Sequence, residues 1–417
     1  MAATRPPFPA RSIVLPTILF SVLVLSGALA AQPSTAKTLG PNAFEAEAGQ
    51  LHQRLQAIAA QTSPGQYPLG TGLDGVLRFA PGADWTSGFW AGALWRDVDL
   101  APSASRINLA YNATVDHLGF ERAQTHDLGF MYGESSVAAY ERVCKAPTTS
   151  DCAKFRASGL IAADTLVKLA RTTGQGIIPL GARTCSDCKP GGAETIVDSM
   201  MNLPLLYWAS RQTGNPKYNN LAKWHAGWVY RNLLRPDGST FQAASYPRRS
   251  KRPRLVLHTH QGLADDSTWS RGQAWSIYGF ADAGLQFRNK YFLRAAERNA
   301  HYAITHLPGY GVPMWDYDAI KGAPIDVSAG VITAAGLFHL ARACEAVANT
   351  CRRSAYWAVV AGQLLKNSLK QIRKIFPVGI LGDQVYTLAG RETWEDDGEL
   401  VFGLDYALEA IKLARER

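Results

Sequence analysis

From Asn42 onward, apolar residues recur mostly at three- and four-residue spacing, and no other feature limits the fold so strongly. Leu51, Leu55 and Ile58 mark one stripe, and Leu160, Ala163, Leu166, Val167 and Ala170 another. Leu203, Leu206 and Tyr207 mark a third. The same spacing runs through 84–98, 105–121, 127–143, 214–234, 263–287, 290–305, 326–346, 351–375 and 399–416. Connectors such as Pro64-Gly65, Pro236-Asp237-Gly238 and Pro308-Gly309 separate these stretches, which predicts about twelve helices. The helices fall in successive antiparallel-sized pairs. No repeated consensus of the kind an open solenoid carries is present. Six hairpins closed on themselves leave no apolar face uncovered, so the expected fold is all-α, a six-hairpin (α/α)6 barrel. No linker rich in Ser, Pro or charge splits residues 31–417, which are expected to form one domain.

The N-terminus reads as an export signal. Arg5 and Arg11 form a basic region, Ile13 to Leu25 is an apolar run short for a bilayer span, and Ala28-Leu29-Ala30 is a small-x-small cleavage site. Residues 1–30 are therefore expected to be a signal peptide, with an uncleaved anchor as the competing reading, and the protein to be periplasmic or secreted. Six cysteines form three local pairs, Cys144 with Cys152, Cys185 with Cys188 and Cys344 with Cys351, as expected of short-loop disulfides in an oxidising compartment. Cys185-x-x-Cys188 also has redox-motif or half-zinc-site spacing, but no thioredoxin-like strand precedes it and no second ligand pair accompanies it.

A hydrophobic content of 47% with 18% charged residues excludes a disordered chain. The net charge of +9 favours acidic ligands. Export makes nucleic acid the least fitting of these, and no membrane association is expected after signal cleavage.

Carboxylates, aromatics and glycines concentrate in four segments. Asp84-Trp85-Thr86-Ser87-Gly88-Phe89-Trp90-Ala91-Gly92 sets Trp85 and Phe89 four apart, either as helix packing or as a wall for stacking on a sugar. His126-Asp127-Leu128-Gly129-Phe130-Met131 is the second. In the third, Glu194 to Asn202, Asp198 is expected inside an apolar helix, where an unpaired ionised carboxylate is unfavourable; it must be paired, protonated or functional. The fourth runs from His258-Thr259-His260-Gln261-Gly262 to Trp269-Ser270-Arg271-Gly272-Gln273-Ala274-Trp275. There Trp269, Arg271 and Trp275 would set a guanidinium between aromatic plates, a receptor for a sugar carboxylate.

Other chemistries find less support. Gly70-x-Gly72-x-x-Gly75 has no strand before it and no helix opening from it. His258 and His260 lack a convincing third metal ligand in the sequence, and there is no His-Glu-x-x-His or Gly-x-Ser-x-Gly. No metal or cofactor is expected. Arg248, Arg249, Lys251, Arg252 and Arg254 form a basic cluster that reads as a solvated loop in an exported protein.

Together these segments resemble the unsaturated glucuronyl hydrolases, glycoside hydrolase family 88. The blocks are D-W-T-S-G-F-W-x-G at 84–92, H-D-L-G-F-M at 126–131, V-D-S-M-M-N-L at 197–203 and H-Q-G-x-x-D-D-S-T-W-S-R-G-Q-A-W at 260–275. Trp315-Asp316 and a closing helix around Gly403 to Ala410 add weaker matches. The resemblance implies an (α/α)6 barrel and a metal-independent hydration of the C4=C5 bond in a terminal unsaturated uronate. It implies Asp198 as the general acid/base and Asp127 as the second essential carboxylate. It also implies Trp85, Phe89, His126, Gln242, Gln261, Trp269, Arg271 and Trp275 around the sugar, and uronate-terminated oligosaccharides as the partner.

Three places depart from the pattern. Gln242 stands where relatives often carry His, so it is expected to hydrogen-bond the sugar without carrying a proton. The basic run at 248–254 is expected to meet acidic groups at outer subsites, and Leu381-Gly382-Asp383-Gln384 also departs. The rival readings are an unsaturated rhamnogalacturonyl hydrolase, a non-catalytic uronate-binding protein and a sugar isomerase or epimerase.

Overall fold

A computed structural model of the chain describes residues 39–144, 150–181, 192–247, 254–309, 311–347, 353–373, 379–386 and 398–417. The expected signal peptide, Cys185, Cys188, Cys351 and the basic residues Arg248, Arg249, Lys251 and Arg252 lie outside the described residues.

The helices are α1 (Glu45–Ala59), α2 (Phe89–Leu100), α3 (Ala104–Asp116), α4 (Leu128–Tyr132), α5 (Ala138–Val143), α6 (Ser150–Arg171) and α7 (Leu203–Thr213). They continue with α8 (Pro216–Asn232), α9 (Ser270–Gln286), α10 (Lys290–Thr305), α11 (Val327–Ala346), α12 (Ser354–Leu369) and α13 (Val401–Arg415). A π-helical turn, Gly133–Val137, joins α4 to α5 so that the two act as one bent helix. Six of these units form an inner ring: α2, α4–α5, α7, α9, α11 and α13, each packed on the next and α13 packed back on α2. The remaining helices back them from outside, α3 on α2, α6 on α4, α8 on α7, α10 on α9, α12 on α11, and α1 on α13 and α2. This is the (α/α)6 barrel.

Burial follows from the sequence pattern. In α10, Phe292, Leu293, Ala296, Ala300 and Ala303 bury one face, as an outer helix requires. In α9, α11 and α13 nearly every residue is buried, so an inner helix is apolar all round. Among the described residues α11 is the one helix long and apolar enough to cross a membrane, but 89% of that window is buried inside the protein. It is a core helix. Caps fix the outer starts: Asn215 precedes α8 and Asn289 precedes α10, each accepting from backbone N–H groups of the first turn.

The inner helices touch through small residues. A β-carbon on Gly88 would overlap the backbone carbonyl of Met131, and one on Gly129 would overlap Asn202. Gly88→Ala should therefore lower stability by about 1–3 kcal/mol, read as a lower urea midpoint at unchanged slope.

Short strands interrupt the helical reading. One antiparallel sheet joins β1 (Tyr67–Thr71), β2 (Leu77–Ala80) and β8 (Glu399–Leu400). A second joins β3 (Gly192–Ile196), β4 (Ala243–Pro247) and β5 (Val256–His258), with β4 in the middle. A two-stranded pair, β6 (Ile372–Arg373) and β7 (Ile380–Leu381), completes the set. Asp198 is consequently not inside an α-helix. β3 ends at Ile196, and Val197–Asn202 is a 3-10 helix leading into α7. Likewise the helix expected from residue 263 begins only at Ser270, because 263–269 form a turn held by Asp316. Cys144 and Cys152 form a disulfide between α5 and α6, and Cys344 is disulfide-bonded as well.

Candidate active site

A cavity of about 550 Å³ opens where four inner helices begin. Trp85 lies just before α2, His126 and Asp127 just before α4, Asp198 on the 3-10 turn before α7, and Trp269 and Arg271 at the start of α9. Phe130, Leu180, Ile196, Gln242, His260, Gln261 and Tyr386 complete the wall.

Asp198 is 9% exposed, and its Oδ1 has no hydrogen-bond partner. Burial pushes its pKa up to about 6; His126 and Arg271 oppose that rise and Asp127 adds to it. Asp127 occupies the N-cap position of α4 but does not cap it. Its Oδ1 instead meets His126 Nε2 at 2.9 Å, and its Oδ2 accepts from the Thr125 hydroxyl at 2.7 Å. Burial alone would lower the pKa of His126, but Asp127, Asp198 and Glu194 outweigh it and raise the value. The site thus pairs a carboxyl biased toward its protonated form with a second carboxyl fixed in direction by two donors.

The opposite wall is tied together by Arg271. Its Nη1 donates to Asp326 Oδ2 at 2.9 Å and to Val385 O at 2.5 Å, and its Nη2 to Tyr386 O at 2.6 Å. The guanidinium also lies 4.6 Å from the Trp269 ring and 5.2 Å from that of Phe402. Gln261 Nε2 donates to Tyr386 O at 3.1 Å, and Trp85 Nε1 donates to the Tyr386 hydroxyl at 2.8 Å with the two rings stacked. Four donor atoms, from Arg271, Gln261 and Trp85, thus hold Val385 and Tyr386, and set the Tyr386 ring beside that of Trp85 at the cavity.

No family model matches the chain. Curated relatives do. The unsaturated glucuronyl hydrolase of Bacillus sp. (strain GL1) is 36% identical over 266 residues, covering 62% of this chain and 67% of that protein. That of Formosa agariphila is 32% identical over 271 residues, covering 64% of this chain and 65% of that protein. Among solved structures, an unsaturated glucuronyl hydrolase specific for heparin superposes with a TM-score of 0.78 at 27% identity, over 89% of this chain and 97% of that one. The chain belongs to the unsaturated glucuronyl hydrolases.

Within that family frame, the structure brings Trp85, His126, Asp127, Asp198, Gln242, Gln261, Trp269 and Arg271 to one cavity. It does not bring Phe89 or Trp275 there. Both are fully buried behind the wall, each against Phe130, at 5.2 and 5.1 Å between ring centroids. Helical spacing identified their shared faces but not which face meets the cavity. Arg271 is not an unpaired receptor for a carboxylate, because Asp326 already holds it.

Gln242 also differs from expectation. Its Oε1 accepts from Thr259 Oγ1 at 2.6 Å, His260 N at 2.8 Å and Gln261 N at 3.0 Å, while its Nε2 donates to Gln261 Oε1 at 2.8 Å. Its amide shapes the 259–261 turn for this glucuronyl hydrolase scaffold. Sequence reasoning missed Tyr386 altogether, and weighed His260 as a metal ligand or as a catalytic histidine of an isomerase, not as part of this wall. Tyr386 carried no local signal, since its partner Trp85 lies 301 residues away.

Proposed function

We propose that the protein removes a Δ4,5-unsaturated uronic acid from the non-reducing end of lyase-generated oligosaccharides by hydrating its C4=C5 double bond. The observation that carries this reading is the buried Asp198 carboxyl, biased toward protonation, facing the same cavity as the anchored Asp127. Asp198 gives its proton to C4, and cationic character develops at C5 and the ring oxygen. The Asp127 carboxylate stabilises that charge. Asp198, now ionised, takes a proton from water as the water oxygen bonds to C5. The C5 hemiketal opens, leaving a ketone at C5, and the freed oxygen makes C1 a hemiacetal that releases the remaining saccharide as an alcohol. One water is consumed overall.

The stacked Trp85 and Tyr386 offer a flat apolar wall to the sugar ring. The test is loss of the conjugated uronate's ultraviolet absorbance when the protein meets lyase-generated disaccharides. Unchanged absorbance across glucuronyl and pectin-derived panels, with the protein folded, would overturn the reading. Export belongs to the same proposal, supported by the basic and apolar leader and by the Cys144–Cys152 disulfide.

A pH dependence follows. Turnover should be present while Asp198 holds its proton and fall as pH rises through about 6. Asp127→Asn removes a charge that raises the Asp198 pKa, so the residual activity should show this limb at lower pH. A pH–rate profile of kcat for both proteins checks the shift.

A further inference from the structure

The sheet of β3, β4 and β5 gathers three donor side chains that the hydration does not use. Glu194 on β3 pairs in register with Ser245 on β4, and Ser245 pairs with Val256 on β5. His258 ends β5 and His260 follows two residues later, so both imidazoles reach the same carboxylate. His260 Nε2 is in hydrogen-bond contact with Glu194 Oε1, and His258 Nε2 lies 3.5 Å from that oxygen. The two rings stand nearly perpendicular with centroids 5.0 Å apart. The donor atoms of all three residues lie within 4.8 Å of one another. Sequence spacing had discounted the two histidines for want of a third ligand. Glu194, 64 residues before His258 and brought beside it only by the sheet, is that ligand.

We propose that Glu194, His258 and His260 bind a divalent transition metal ion of the zinc class at the mouth of the cavity. Two imidazoles and one carboxylate are the mixed nitrogen and oxygen set that zinc, cobalt and nickel accept. Bonds of about 2.0–2.1 Å place tetrahedral ligands about 3.4 Å apart, so side-chain rotation of roughly 1 Å closes the present arrangement. Glu194 is only 2% exposed, which fixes one ligand in a buried position. His260 is nearly half exposed and lines the cavity, so the fourth coordination position opens toward the sugar. The Ser245 hydroxyl, 2.9 Å from His258 Nε2, turns aside on binding, and the contact between His260 and Glu194 gives way to the ion. An ion held there obstructs the cavity, and the site acts as an inhibitory one.

The experiment is a titration of tag-free, chelator-treated protein with Co²⁺, followed by its visible absorption. It needs no substrate, so its outcome is separate from the hydration chemistry. One equivalent should bind with a four- or five-coordinate spectrum. Affinity should fall at least about 10-fold in both His258→Ala and Glu194→Gln, as expected on losing one of three ligands. Melting curves without metal establish that each variant is folded. Zn²⁺ should inhibit the wild type reversibly and spare His258→Ala. Absence of a saturable band, or saturation unchanged in both folded variants, would overturn the proposal.

Discussion

Asp198→Asn should lower turnover by about 10²–10⁴-fold while raising the melting temperature at neutral pH. The first effect is loss of the proton donor. The second comes from the same burial that prepares the donor. The folded-state pKa of Asp198 is raised from 3.8 to about 6, so between those values the folded protein holds more proton than the unfolded chain. Stability therefore falls as pH rises across that window, and above about 6 the whole penalty stands, at most about 3 kcal/mol. Asparagine carries no charge, so the variant escapes the penalty, less whatever its amide loses by incomplete hydrogen bonding. A net gain of about 1–3 kcal/mol is expected at pH 8, and a much smaller change at pH 4. Melting curves at both values decide the matter. An equal change at the two pH values would remove burial of charge as the cause.

Arg271→Ala should destabilise the fold by about 3–5 kcal/mol, because it leaves Asp326 charged, buried and unpaired. Both partners of this ion pair are 1% exposed in their side chains. Asp326 Oδ1 also caps α11, accepting from Ser328 N at 2.9 Å, so the damage reaches an inner helix. The variant further removes the guanidinium's bonds to the carbonyls of Val385 and Tyr386, which loosens the wall that Tyr386 forms beside Trp85. A higher KM is expected alongside the lower urea midpoint. Adding Asp326→Asn should recover part of the stability, since asparagine keeps the cap and removes the charge. No recovery in the double variant would show that the loss is one of packing.

The sequence reading reached the barrel because apolar residues at helical spacing fall in successive hairpin-sized pairs with no repeated consensus, and six such pairs cover every apolar face only by closing. The site was legible where it is local. His126, Asp127 and Asp198 lie in short blocks placed just before inner helices. It was illegible where the fold works at a distance. Glu194 to Ile196 run without a break into the apolar stretch before α7, so a strand of five residues passed as helix. The same merging put Asp198 in a helix. Phe89 and Trp275 sit on apolar turns whose orientation only the assembled ring determines. The partners of Arg271 are 55 and more residues away, and nothing near Arg271 announces that it is already paired.

The ring closes where α13 packs on α2, with α1 backing that seam from outside, and Arg415 fastens α13 to Glu45 and the carbonyl of Ala43. A circle assembled this way has no privileged starting point along the chain. The barrel could be opened at a different loop and α13 linked to α1 with little disturbance to the hairpins. Among the described inner helices, α13 is the last in chain order. Before it is made, α2 and α11 share an uncovered apolar flank, which α13 then covers.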